Sequence, residues 1–206
     1  MLHLLMASLR VTAATIAVCV AGYAGVILGV AQVLTPATAN GSLITRADGT
    51  VVGSRLIAQK FEDPAYFWPR PSAVDYNGAG AGGSNKSPTS EALTERAEGL
   101  IARHGATPAS PLPPELAAAS GGGLDPHVSQ RAAEYQAPRV AAARGMPQAD
   151  VLALVRARAF APGGPLTPGR LVNVLELNLA LDDLRTSPES TLDRAGPLTD
   201  DPARGS

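Results

Sequence analysis

Asp125, Pro126 and His127 place a carboxylate and an imidazole two positions apart, directly after Gly121, Gly122 and Gly123. An Asp and a His at that spacing suit a metal ion or an acid–base pair. No second His or carboxylate lies at helical spacing to them, and His104 stands far back along the chain. A metal site lacks ligands on that count. The plainer reading has Asp125 capping the segment that follows and His127 making a local hydrogen bond. A second stretch, Asn77 to Asn85, is rich in glycine. Gly78 and Gly83 have the separation of the two glycines in G-x-x-x-x-G-K-[ST], where the lysine meets phosphates as the loop becomes a helix. Here Ser84 occupies the lysine position, Lys86-Ser87 comes two residues late, and Pro88 follows. A flexible or contact-making loop fits better than a phosphate cradle. Tyr66, Phe67 and Trp68, which include the only tryptophan, suit core or partner contact, or a belt at a membrane interface. Glu176 stands among apolar residues, where a carboxylate is paired or at a sheet edge.

These residues need a scaffold, and the chain begins with one that is apolar. From Val11 to Leu34 no side chain is charged. A helix crosses the hydrocarbon core with about 20 apolar residues, whereas a secretory h-region has about 7–15. The expected division is a cytoplasmic N-terminus at 1–10, a transmembrane helix at 11–34, a soluble domain at 35–184 and a disordered tail at 185–206. Ala37-Thr38-Ala39 resembles a cleavage site, so a signal peptide is the alternative. Arg10 and His3 before the helix favour a cytoplasmic N-terminus and a domain outside. Gly22, Gly25 and Gly29 form a small-residue stripe suited to close helix packing in lipid. Cys19, the single cysteine, lies within this run, so the soluble part has no disulfide and no thiol chemistry.

The soluble part reads as one small α+β domain. Thr35-Pro36 ends the first helix. Val51 to Phe61 suggests one or two short strands. Ser90 to His104 has an amphipathic pattern with Gly105 as its stop. Glu115 to Ala119 is a short helical piece, and Ser129 opens another helix in which Pro138 predicts a break near Ala137. Gly145 ends it. Pro147 opens a helix to about Phe160, with Val151, Leu152, Leu154 and Val155 as its apolar side. Arg170 to Leu177, apolar on both faces, predicts a central strand.

The formal net charge of −1 gives no electrostatic footprint for nucleic acid. One transmembrane helix without carboxylates makes no ion pathway, since pores surround the ion with ligands from several segments. No Asp-Lys-Thr-Gly phosphorylation motif occurs.

Six strings in order carry a resemblance. They are Gly53 to Gln59, Tyr66 to Ala73, Gly82 to Asn85, Ala119 to Ser129, Tyr135 to Ala141 and Val172 to Asp182. Following a single N-terminal helix, they are similar to the C subunit of the bacterial Kdp-type potassium-transporting ATPase, over about residues 5–182. Gly122 is often serine in that family, Glu176 often apolar and Ala58 often glycine, which alters no identifiable chemical role. The resemblance implies a non-catalytic subunit needed for assembly and activity, described for the family as a catalytic chaperone that raises the ATPase subunit's affinity for ATP. The implied partners are the ATPase subunit, a potassium-channel-like subunit and the lipid bilayer of the plasma membrane. ATP and potassium are then ligands of the complex, with no cofactor held firmly by this chain. Partner contact is expected at Tyr66, Phe67, Trp68, Ser120, Gly121, Gly122, Gly123, Asp125 and His127. The open alternatives are a membrane-anchored extracytoplasmic enzyme using Asp125 and His127, or a binding protein released by cleavage.

Overall fold

The computed structural model describes residues 1–46, 48–164 and 169–186, with positions 185 and 186 described by backbone alone. The chain divides into two compact units, Met1–Leu56 and a second from Ile57 onward.

The first unit is dominated by a helix over Leu2–Leu34, 33 residues whose most apolar 18-residue stretch has mean hydropathy 2.1, long and apolar enough to cross a membrane. The helix extends N-terminal of the uncharged run that begins at Val11. Leu2, Leu4, Leu5 and Leu9 favour helix, and one arginine at position 10 does not interrupt it. Its parts are α1 (Leu2–Thr15), a π-helical stretch (Ile16–Gly22) and α2 (Tyr23–Leu34). At about 1.5 Å per residue the whole exceeds the roughly 30 Å hydrocarbon core, so it is long enough to span one with turns to spare. Thr35 leaves helical geometry, as expected before proline, and Pro36 opens the single turn α3 (Pro36–Ala39). Gln32 and Asn40 exchange two side-chain hydrogen bonds of 3.2 Å across that corner. The chain then forms an antiparallel hairpin of β1 (Leu43–Thr45) and β2 (Val51–Ser54), bulged between Ile44 and Thr45. The strand expected from Val51 therefore exists but stops at Ser54, and residues 55–61 are irregular.

In the second unit α4 (Glu91–His104) matches the amphipathic pattern, and Gly105 ends it in the left-handed region at φ 62°. The turn α5 (Pro114–Ala117) buries Leu116. Two short strands follow, β3 (His127–Ser129) and β4 (Leu171–Asn173), paired antiparallel with Val128 opposite Val172. Each strand runs straight into a helix. Ser129 ends β3 and caps α6 (Gln130–Arg144), its hydroxyl accepting from the Ala132 N–H. Gly145, at φ 63°, closes α6 as the sequence predicted. Helix α7 (Gln148–Arg158) opens after Pro147 and buries Val151 and Val155. The last helix among the described residues is α8 (Val174–Thr186); the tail beyond it, expected to be disordered, lies outside the described residues. The core gathers Phe67, Leu116, Val128, the alanines of α6, Val151, Val155, Val172, Leu177 and Leu181.

Two expectations are corrected. Arg170 to Leu177 is not a central strand: β4 ends at Asn173, whose Oδ1 accepts from the Glu176 N–H at 3.2 Å and starts α8. Val174, Leu175, Leu177, Ala180 and Leu181 are all buried, so this helix is apolar around much of its girth and mimics a two-sided strand. Glu176 accordingly lies in the first turn of a helix, where a carboxylate suits the helix dipole. Nor does Pro138 break its helix, since α6 is continuous through it. Pro138 is exposed, so the carbonyl it leaves unpaired is available to water, while Ala133, Ala137, Val140 and Ala141 bury the other face.

Candidate functional site

The aromatic loop is built into the domain by amide side chains from two helices. Asn178 of α8 accepts from the Phe67 N–H at 2.8 Å and donates to the Phe67 carbonyl at 3.0 Å. Gln136 of α6 does the same for the next residue, accepting from the Trp68 N–H at 2.9 Å and donating to its carbonyl at 3.0 Å. Each amide presents one acceptor and two donors, so it imitates a neighbouring strand. Phe67 is fully buried and Trp68 is 7% exposed. Three arginines complete the frame. The Arg139 guanidinium lies 3.6 Å from the Trp68 ring centroid and donates to the Tyr66 carbonyl at 3.0 Å. Burial lowers its pKa to about 10, which still leaves it charged at neutral pH. Arg103 of α4 lies 4.1 Å from the same centroid. Arg144 sits over the Tyr66 ring and pairs with Asp182 at 2.9 Å, which also accepts from the Tyr66 hydroxyl.

The loop from Ser120 to His127 is held mostly by backbone. Its Gly122 carbonyl accepts from the Gly82 N–H at 2.9 Å, the Leu124 carbonyl from Ala58, and the Ser120 N–H donates to Pro71. The two glycine-rich stretches thus dock on each other. A Cβ on Gly83 would lie 2.8 Å from the Gly121 carbonyl oxygen, and one on Gly123, at φ 70°, only 2.6 Å from Val74. Glycine there permits both the close approach and the left-handed backbone. Gly121 and Gly122 themselves are exposed with open space around them. Asp125 accepts from the His127 N–H at 3.0 Å and pairs with Arg70 at 3.0 Å. The side-chain hydrogen bond from His127, with that backbone bond and Arg70, holds its carboxyl below the usual carboxylate range. The His127 ring meets the edge of Phe160 at 5.5 Å.

This arrangement fixes the aromatic loop to α6 and α8 and docks the two glycine-rich stretches on each other. Asp125 is the local turn acceptor that the plainer reading expects. No group of three potential metal ligands occurs among the described residues. Lys86 precedes no helix, since α4 begins only at Glu91, so the lysine-to-helix geometry of a phosphate cradle is not formed. The structure keeps the aromatic loop and the glycine loop as separate features, linked through Arg70 and Pro71, which follow Trp68 and touch Asp125 and Ser120. Gln136, Asn178, Arg139 and Arg144 went unread as site residues. For Gln136 and Asn178 the available signal was an uncharged amide on the face shared with Ala132, Ala133 and Val140 or with Val174, Leu177 and Leu181, which must find partners once buried.

A family profile described as the K+-transporting ATPase c chain, KdpC, matches residues 5–183. A potassium-transporting ATPase KdpC subunit of Parvibaculum lavamentivorans is 65% identical over 181 residues, covering 88% of this chain and 97% of the relative. That of Polaromonas naphthalenivorans is 48% identical over 165 residues, covering 77% of this chain and 84% of the relative. That of Geobacter sulfurreducens is 46% identical over 166 residues, with 79% and 88% covered. The matched span takes in nearly all of the N-terminal helix, the aromatic loop, the glycine loops and all of β3 to β4, and this chain belongs to the KdpC family.

Proposed function

We propose that this chain is a non-catalytic accessory subunit of a high-affinity, ATP-driven potassium uptake pump in the plasma membrane. The observation that carries the reading is the family match across residues 5–183, with relatives named as subunits of a potassium-transporting ATPase. The helix Leu2–Leu34 serves as the single-pass anchor. Its partners are the subunit that hydrolyses ATP and the channel-like subunit that selects potassium. Arg10 on the N-terminal side supports a cytoplasmic N-terminus and a domain outside. ATP is cytoplasmic, so a domain outside raises ATP affinity only by coupling between conformational states. The aromatic loop is the rigid frame, and Gly121, Gly122, Asp125 and His127 are the accessible part of the assembly surface.

Affinity purification of the tagged chain from membranes of its own cells tests this. Stoichiometric recovery of two large multi-span proteins is expected, and recovery of the chain alone would sink the reading. Orientation is checked separately with Ser110→Cys at an exposed position. An impermeant thiol reagent should label it in intact cells; labelling only after lysis would reverse the topology.

A further inference from the structure

Among the described residues, α4 is the only helix of the second unit with no buried side chain. It is entered from the glycine-rich stretch and left through Pro111 and Pro113. Its C-terminal half packs on α5 and on the aromatic loop. Arg103 lies over the Trp68 ring and donates to the Phe61 carbonyl at 3.3 Å, and His104 meets the ring edge at 5.0 Å. Beside this contact is a cavity of about 180 Å³ whose walls include Trp68, Pro71, Tyr76, Leu100 and Leu116.

The charged and titratable groups around His104 are one-sided. Arg103 adjoins it on α4, and Arg139 and Tyr135 face it from α6. Across the cavity the loop supplies Tyr76 and the Lys60–Asp75 pair, in which Asp75 is already engaged at 3.0 Å. Asp63 acts on Arg139. No carboxylate lies within ion-pair distance of His104 among the described residues. Burial first, then Arg139 and Arg103, lower its pKa to about 4. The imidazole is therefore neutral at neutral pH and packs as a plain aromatic ring.

We infer that protonation of His104 releases the C-terminal end of α4 from Trp68, making this helix an acid-operated flap beside the cavity. A charged imidazole adds a third cation next to Arg103 and Arg139 with no anion to answer it. Moving the C-terminal end of α4 outward returns that charge to water, and no side chain of the helix itself is fully buried, so the contact given up is that with α5 and Trp68. The sign follows from linkage: the docked value lies below the free value of about 6.5, so docking is fully favoured above that pH and weakens as pH falls toward about 4.

The test uses the full-length chain in detergent. Trp68 is the only tryptophan, so its emission reports the contact directly. Between neutral pH and about pH 4.5, the exchange protection of α4 amides, corrected for intrinsic rates, should fall more than about tenfold relative to α6. Trp68 emission should change reversibly over the same range. His104→Gln, and His104→Phe which keeps a ring against Trp68, should abolish the pH dependence of both signals. Loss of protection in α4 and α6 together would overturn the inference, as would an unchanged pH profile in either variant.

Discussion

The loop at 66–68 and the loop at 120–127 are both irregular backbone of the second unit, and they are secured in contrasting ways. In the first, side chains 68 and 111 residues distant, Gln136 and Asn178, satisfy the peptide groups of Trp68 and Phe67. The ring between those groups fills the core. In the second, peptide meets peptide through Gly82 and Gly122, and the outermost glycines face solvent. A loop fixed by side chains has lost its surface to the interior. A loop fixed by its own backbone keeps a free upper face, and loops held on a rigid scaffold are where contacts concentrate.

Substitutions sharpen this contrast, starting with the largest. Phe67→Ala empties a fully buried site and should cost about 3–5 kcal/mol. Urea denaturation of the full-length chain in detergent measures it, and a loss below about 1 kcal/mol would mean that the loop is not the frame described. Gly123→Ala puts a Cβ against Val74 at a left-handed position and should cost about 1–3 kcal/mol in the same assay. A neutral result would show that the backbone docking is loose. Gly122→Val adds its side chain to open space, so the melting temperature should stay within about 2 °C. Recovery of the partner subunits in affinity purification should drop. A large loss of melting temperature assigns this loop to folding, and no change in either quantity removes it from the assembly surface. The smallest effect is in acid. The Asp125 carboxyl titrates below its unfolded value, so its contribution is present above about pH 4 and is lost as pH falls through the lowered value. Asp125→Asn should flatten that part of the stability profile.

Much of the helical frame was legible because local signals act over a few residues. Gly105 and Gly145 mark stops, and Ser129 marks a start whose hydroxyl reaches three residues ahead. The α8 error came from a helix buried on most sides, in which apolar residues on both faces carry no helical period. Asn173 followed three residues later by Glu176 was the missed start signal, of the kind in which a cap precedes an acidic residue. Tyr66 to Trp68 stood out by composition, but the amides that hold them lie in distant helices, and no local pattern reveals such a pairing. The docking of Gly82 on Gly122 was hidden for the same reason: glycine runs announce freedom of the backbone, not the partner it approaches.

The Asn178 clasp has a consequence for the order in which the protein is made. Phe67 emerges from the ribosome more than a hundred residues ahead of the amide that closes around its peptide groups. Until α8 has been synthesised, that loop carries a large aromatic side chain and two unpaired peptide groups with nowhere to rest. Loop-closure entropy over such a separation must be met before the contact returns anything. This part of the second unit's core therefore closes only after α8 has been made.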